Sequence, residues 1–163
     1  MKALILSLVV TTLLTAGCGF QLRGEARLPV EMQRTHLAAD PTSPFVRELA
    51  QRLRANGVQV LERPDEKAAT LLVVGERMRR ETLTLSASAR VREFLLVFEL
   101  DFELRDAQGE ILIPREQLRM TRDYSFDELE ILAATREEEF LRADLRQAMA
   151  GQLMRRLEAA GRR

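Results

Sequence analysis

From residue 93 to 105 the chain reads EFLLVFELDFELR, and every even position is apolar: Phe94, Leu96, Phe98, Leu100, Phe102 and Leu104. The odd positions include Glu99, Asp101 and Glu103. Side chains of an extended backbone alternate between faces. The run therefore predicts one long strand with a buried face and a largely wet one. Such a strand needs neighbours to pair with and a layer to cover its apolar side.

Two segments promise the pairing. Residues 69–79 (ATLLVVGERMR) begin as an apolar strand and turn charged, and residues 117–124 alternate again, with Leu118, Met120 and Tyr124 on one side. Arg122 interrupts that side near its end. In the turn DAQG (106–109), Gly109 is free to take a positive φ. Residues 33–39 and 58–61 read as shorter extended pieces. Two helical patterns promise the cover. Ser43 is placed to cap a helix, and Pro44 suits its first position, where the missing N–H would be unpaired anyway. Phe45, Val46, Leu49, Ala50 and Leu53 then form one apolar stripe, which Asn56-Gly57 ends. The second helix is expected from Thr135, with Thr135 and Glu138 as a capping box. Leu141, Leu145, Met149, Leu153 and Leu157 follow at four-residue intervals. The order strand, helix, three strands, helix predicts an α+β fold. It is a two-layer sandwich, two helices packed on one face of a roughly four-stranded mixed sheet, in a single domain over residues 30–163.

What precedes that domain is different in kind. Residues 1–17 (MKALILSLVVTTLLTAG) carry one positive charge, an apolar stretch and then small residues, the layout of a secretory signal peptide. The stretch is short for a bilayer span of about 20 residues. Cys18, the only cysteine, follows directly, so no internal disulfide can form. Leu14-Thr15-Ala16-Gly17-Cys18 resembles the bacterial lipobox, in which the cysteine sulfur accepts a diacylglyceryl group and the new N-terminus is acylated. Several acyl chains, at about 0.8 kcal/mol per buried methylene, hold a protein durably on a membrane. Cys18 is therefore read as a lipid attachment site, and residues 18–29, with two glycines and a proline, as a tether. Residue 19 is Gly rather than the Asp that resembles an inner-membrane retention signal. That favours the cell outer membrane, on its periplasmic side.

Chemistry is hard to find in this chain. His36 is the only histidine and reads as an ordinary strand residue, so no metal cluster is expected and no cofactor beyond the acyl chains on Cys18. No phosphate loop, nucleophile elbow or Ser/His pair occurs, and the acidic runs 127–130 and 137–139 read as solvated charge. The chain is expected not to be an enzyme and to have no catalytic residue. Without residues 1–17 it carries 24 basic and 25 acidic residues, a balance that argues against nucleic acid. Yet 23 of its 25 basic residues are arginine, whose flat fork grips phosphate bidentately. Arg77, Arg79, Arg80, Arg90 and Arg92 crowd the segment 76–94 between the first two long strands. If those strands pair, their end gathers five guanidinium groups. The cluster is either a solubilising edge decoration or a docking site for a phosphorylated, anionic glycolipid.

Cys18-Gly19-Phe20-Gln21-Leu22-Arg23-Gly24 resembles the C-G-F-x-L-R-G opening of the mature LptE family, outer-membrane lipoproteins of lipopolysaccharide assembly. SPFVRELAQRLRANGV (43–58), ARVREF (89–94, similar to the family's G-R-x-x-E-Y) and QLMRRL (152–157) extend the likeness over nearly the whole mature chain. The resemblance implies a plug inside the β-barrel of LptD, the two forming the translocon that assembles lipopolysaccharide at the cell surface. It also implies help with barrel assembly and binding of lipopolysaccharide. Arg90 falls on the family's arginine, Arg92 is its neighbour on the same strand face, and Arg136 is nearest to a basic residue expected before the last helix. Ala89 and Phe94 depart from the family's Gly and Tyr; Phe94 lacks the hydroxyl. The competing reading is an unrelated periplasm-facing outer-membrane lipoprotein, an LpoB-like activator of a cell-wall synthase. That class shares leader and lipobox but has no need of the C-G-F-x-L-R-G opening.

Overall fold

The computed structural model describes residues 28–85, 91–127 and 130–161. In chain order the elements are a 3₁₀ turn (Val30–Gln33), β1 (Arg34–Ala38), α1 (Pro44–Ala55), β2 (Gln59–Leu61), β3 (Ala69–Leu85), β4 (Val91–Arg105), β5 (Ile111–Ser125) and α2 (Ile131–Ala160). The strands form one mixed sheet in the order β2-β1-β3-β4-β5. β1 runs parallel to β2 and β3, while β3, β4 and β5 are antiparallel. The sheet has five strands rather than about four because the three residues of β2 add to the edge of β1. A strand that short shows no alternation to read.

The core lies where β4 places it. Leu96, Phe98, Leu100, Phe102 and Leu104 are fully buried, facing the α1 stripe of Phe45, Leu49 and Leu53 and the α2 stripe of Leu145, Met149, Leu153 and Leu157. Phe45 meets Phe98 edge to face at 5.4 Å between centroids, an arrangement the ring quadrupoles favour. Ser43 caps α1 as expected, its hydroxyl oxygen accepting from the amides of Phe45 and Val46. That hydroxyl also donates to Glu76 on β3, at 2.6 Å.

Registry decides which β3 residues face the helices. Leu71 and Val73 pair with Leu104 and Phe102, but the ladder then shifts and resumes with Gly75 opposite Asp101. One extra residue in a strand of period two exchanges its faces. Beyond Val74 the even positions Glu76, Met78 and Arg80 lie opposite Leu100, Phe98 and Leu96 on the helix side. Arg77 and Arg79 fall on the open face with Asp101, Glu99 and Val97. β3 also runs on to Leu85 and β5 starts at Ile111, both longer than their patterns suggested. Pro114 is tolerated within β5 because that strand is an edge.

α2 starts four residues before Thr135. Its N-cap, Glu130, makes no side-chain cap, and the Thr135 hydroxyl donates instead to the Ile131 carbonyl inside the helix. The expected capping box does not form, because Thr135 lies a full turn inside the helix and not at its N-cap, where its hydroxyl bonds back to the preceding turn.

Candidate functional site

β3 and β4 pair from Thr70↔Arg105 to Leu85↔Val91. The arginine-rich segment therefore belongs to one antiparallel ladder, as the strand patterns implied. Cys18 and Arg90 lie outside the described residues, as do the leader and most of the tether. Arg92 belongs to β4 by its backbone, next to Val91 at the end of the ladder. Arg136 is exposed within α2 and has no ion-pair partner among the described residues.

Arg77, Arg79 and Arg80 do not join an open cluster. On the face away from the helices, Glu99 is the hub. It accepts two hydrogen bonds from Arg79, at 2.6 and 3.1 Å, and lies 3.8 Å from Arg77 and 3.5 Å from Arg119. Arg79 also reaches Glu81 at 2.7 Å, and Arg77 lies 3.8 Å from Asp101. The hydrogen bond from Arg79, with the charges of Arg77 and Arg119 behind it, holds the Glu99 carboxyl below its ordinary range against partial desolvation. Val97, the apolar residue at an odd position between these charges, is fully buried. The wet face predicted from the alternation is thus a lattice of mutually neutralised charges.

Arg80 is engaged on the helix side. Its guanidinium carbon sits 4.3 Å from the centroid of the Phe94 ring, and it donates to Glu138 of α2 at 2.9 Å. Glu138 also accepts from the Tyr124 hydroxyl and from Arg142. Burial raises its carboxyl, but the donors Tyr124, Arg142 and Arg80 outweigh that and leave it below the usual range. Burial likewise raises the Tyr124 phenol, with the hydrogen bond to Glu138 adding to the rise. Phe94 contacts Tyr124 and Phe126, at 5.7 and 5.2 Å between centroids. In place of a hydroxyl, Phe94 offers a ring face to Arg80. Arg122, the interruption noted on the apolar side of β5, donates to Asp144 of α2 at 2.9 Å. Neither contact was read from the sequence. The one visible signal was a basic residue standing in an apolar register.

The arrangement ties α2 to β3 and β5 through ion pairs whose arginines are exposed or half-buried, and presents Arg136 outward on the same helix. Among the described residues no group of three His, Cys, Asp or Glu side chains is placed to hold a metal, and no helix is long and apolar enough to cross a membrane.

Residues 32–157 match the LptE family, described as lipopolysaccharide-assembly. The chain belongs to the LptE family. It is 33% identical to the LPS-assembly lipoprotein LptE of Yersinia pestis (strain Pestoides F), over 96% of this chain and 75% of that protein. Among solved structures it is similar to lipoprotein B from Nitrosomonas europaea, with a TM-score of 0.73 and 29% identity over 86% of this chain and 91% of that one. A minor lipoprotein from Acinetobacter baumannii gives 0.64 and 26% identity over 78% and 92%. LptE membership places the chain in lipopolysaccharide assembly and makes it a non-enzymatic protein. It also decides against the LpoB-like reading.

Proposed function

We propose that this LptE-family chain is a lipoprotein of the outer membrane, held on the periplasmic side by acyl chains on Cys18. There it plugs the LptD barrel, helps assemble it and binds lipopolysaccharide. The observation that carries the reading is the match, over 96% of the chain, to a protein named for lipopolysaccharide assembly. The geometry narrows the choice of ligand contacts. Arg77, Arg79 and Arg80 are matched by carboxylates on their own sheet or helix, so they add little net field for an anion. Arg136 has no ion-pair partner among the described residues, Arg92 belongs by its backbone to the end of the ladder, and Arg90 falls on the arginine position of the family motif. These three are the proposed contacts for lipid A or core phosphates.

The test is a titration of the full-length chain in detergent with lipopolysaccharide at two salt concentrations. A hydrogen bond to a charged group contributes roughly 1.5–3 kcal/mol net. Arg90→Glu with Arg92→Glu is therefore expected to weaken binding at least about tenfold with the thermal midpoint little changed. Added salt should weaken the wild type more than the variant. Equal affinity for the folded variant removes these arginines from the site. Recovery of a near-stoichiometric barrel with the wild type from outer-membrane extracts tests the LptD partnership separately.

A further inference from the structure

A groove of about 560 Å³ lies between α1 and the outer strands β1 and β2, away from β4 and α2. Its floor is apolar: Val46 and Ala50 of α1 are buried, and Leu37 and Val60 are half-buried. Its rim is basic. Arg47, Gln51 and Arg54 recur at the spacing of one helical row and border the Val46–Ala50 row. Arg47 gives one N–H to the Thr42 carbonyl at 2.6 Å, and Arg54 has no partner among the described residues. Glu62 closes one end as the only carboxylate among the described residues that line the groove, leaving two guanidinium groups against one acid.

Beside this rim runs an edge strand. Among the described residues β2 is paired on one side only, so its other side presents backbone donors and acceptors. The opposite edge, β5, is guarded by Pro114 and by charges at Arg115, Arg119 and Asp123. β2 reads Gln59-Val60-Leu61 and has neither charge nor proline. Three residues offer too little backbone to hold a strand unaided. A helix row spanning about 10 Å above it falls between the roughly 7 and 13 Å that separate carboxylates two and four residues apart on one face of an extended chain, a difference that long arginine side chains can take up.

We propose that the groove between α1 and the free edge of β2 docks an extended acidic peptide of a partner protein. The peptide adds as a sixth strand: backbone hydrogen bonds to β2 seat it, and its carboxylates meet Arg47 and Arg54. Charge complementarity selects this occupant over a neutral or basic one, and the apolar residues that alternate with its acids fall on the opposite face of the sheet.

The experiment uses the isotopically labelled full-length chain in detergent micelles and follows backbone amide shifts. Three probes are added in turn: the peptide acetyl-TVEVTVEVT-amide, its counterpart with lysine for each glutamate, and an equally acidic version with proline at alternate positions. The acidic peptide is expected to shift Gln59, Val60 and Leu61 saturably. The lysine and proline peptides should bind at least about tenfold more weakly, through charge repulsion and loss of ladder donors respectively. Arg47→Glu with Arg54→Glu should lose the acidic peptide to the same degree at an unchanged thermal midpoint. The proposal is overturned if β2 does not shift, if the proline peptide binds as well, or if the lysine peptide does. It is also overturned if β2 shifts with protein concentration alone, which assigns the edge to a second copy of this chain.

Discussion

Glu138 accepts hydrogen bonds from Arg80, Tyr124 and Arg142, which come from β3, β5 and α2. Its side chain is only 16% exposed, and losing it leaves the hydroxyl of buried Tyr124 without this acceptor, while the more exposed Arg80 and Arg142 can turn to water. Glu138→Ala is expected to cost about 2 kcal/mol, measured as a drop in urea midpoint at unchanged slope. Glu138→Gln should cost less, because the amide oxygen still accepts from Tyr124 and Arg80. Equal losses for the two variants would mean that the negative charge, and neither the accepting oxygen nor packing, gives the residue its weight. The same carboxylate shows what one sequence cannot reveal. Glu137, Glu138 and Glu139 look alike in the chain, and all three were read as helix-start charge. Only the fold turns the middle one inward.

At the scale of elements, α1 and β4 were legible almost to the residue. Ser43, Pro44, the Phe45–Leu53 stripe and Asn56-Gly57 are local signals with local physics, and they delimit Pro44–Ala55. Long alternation is equally robust, since a slip by one residue would bury Glu99, Asp101 and Glu103. Phe98 stands at the centre of that strand, fully buried against Phe45. Phe98→Ala should lower stability by about 3–5 kcal/mol, read from denaturant melts. A loss under about 1 kcal/mol would place the ring outside the core. β2 and the early start of α2 were less legible. β2 draws its pairing from β1, and the first turn of α2 has no side-chain cap to announce it, so both depend on tertiary contacts.

For the whole molecule, charge that sums to nearly zero is arranged rather than diluted. Hydrogen bonds and ion pairs hold Asp40, Asp65, Glu99 and Glu138 below their ordinary carboxyl range. A carboxyl depressed in the folded state takes up its proton more readily when unfolded. Its contribution is therefore complete above the unfolded value and lost as pH falls through the folded one. The urea midpoint should accordingly hold from neutral pH to about pH 5 and then fall towards pH 3. A midpoint level down to pH 3 would contradict the ion-pair assignments. High salt should lower the midpoint modestly, since the lattice around Glu99 is partly exposed.

Periodicity, capping residues and the glycine-ended helix determined the class of fold, the apolar face of each long element and the antiparallel partner of β4. Family membership was also legible along the chain, in the short motifs at 43–58, 89–94 and 152–157. The fate of individual arginines was not. One extra residue at Val74 exchanges the faces of β3, sending Arg77 and Arg79 to Glu99 and Arg80 to Phe94 and Glu138. Residues 76–94 present five arginines in a row of print, and the register alone commits three of them to carboxylates. Charge pairing depends on distances of about 4 Å between side chains far apart in sequence, and only the tertiary structure sets those.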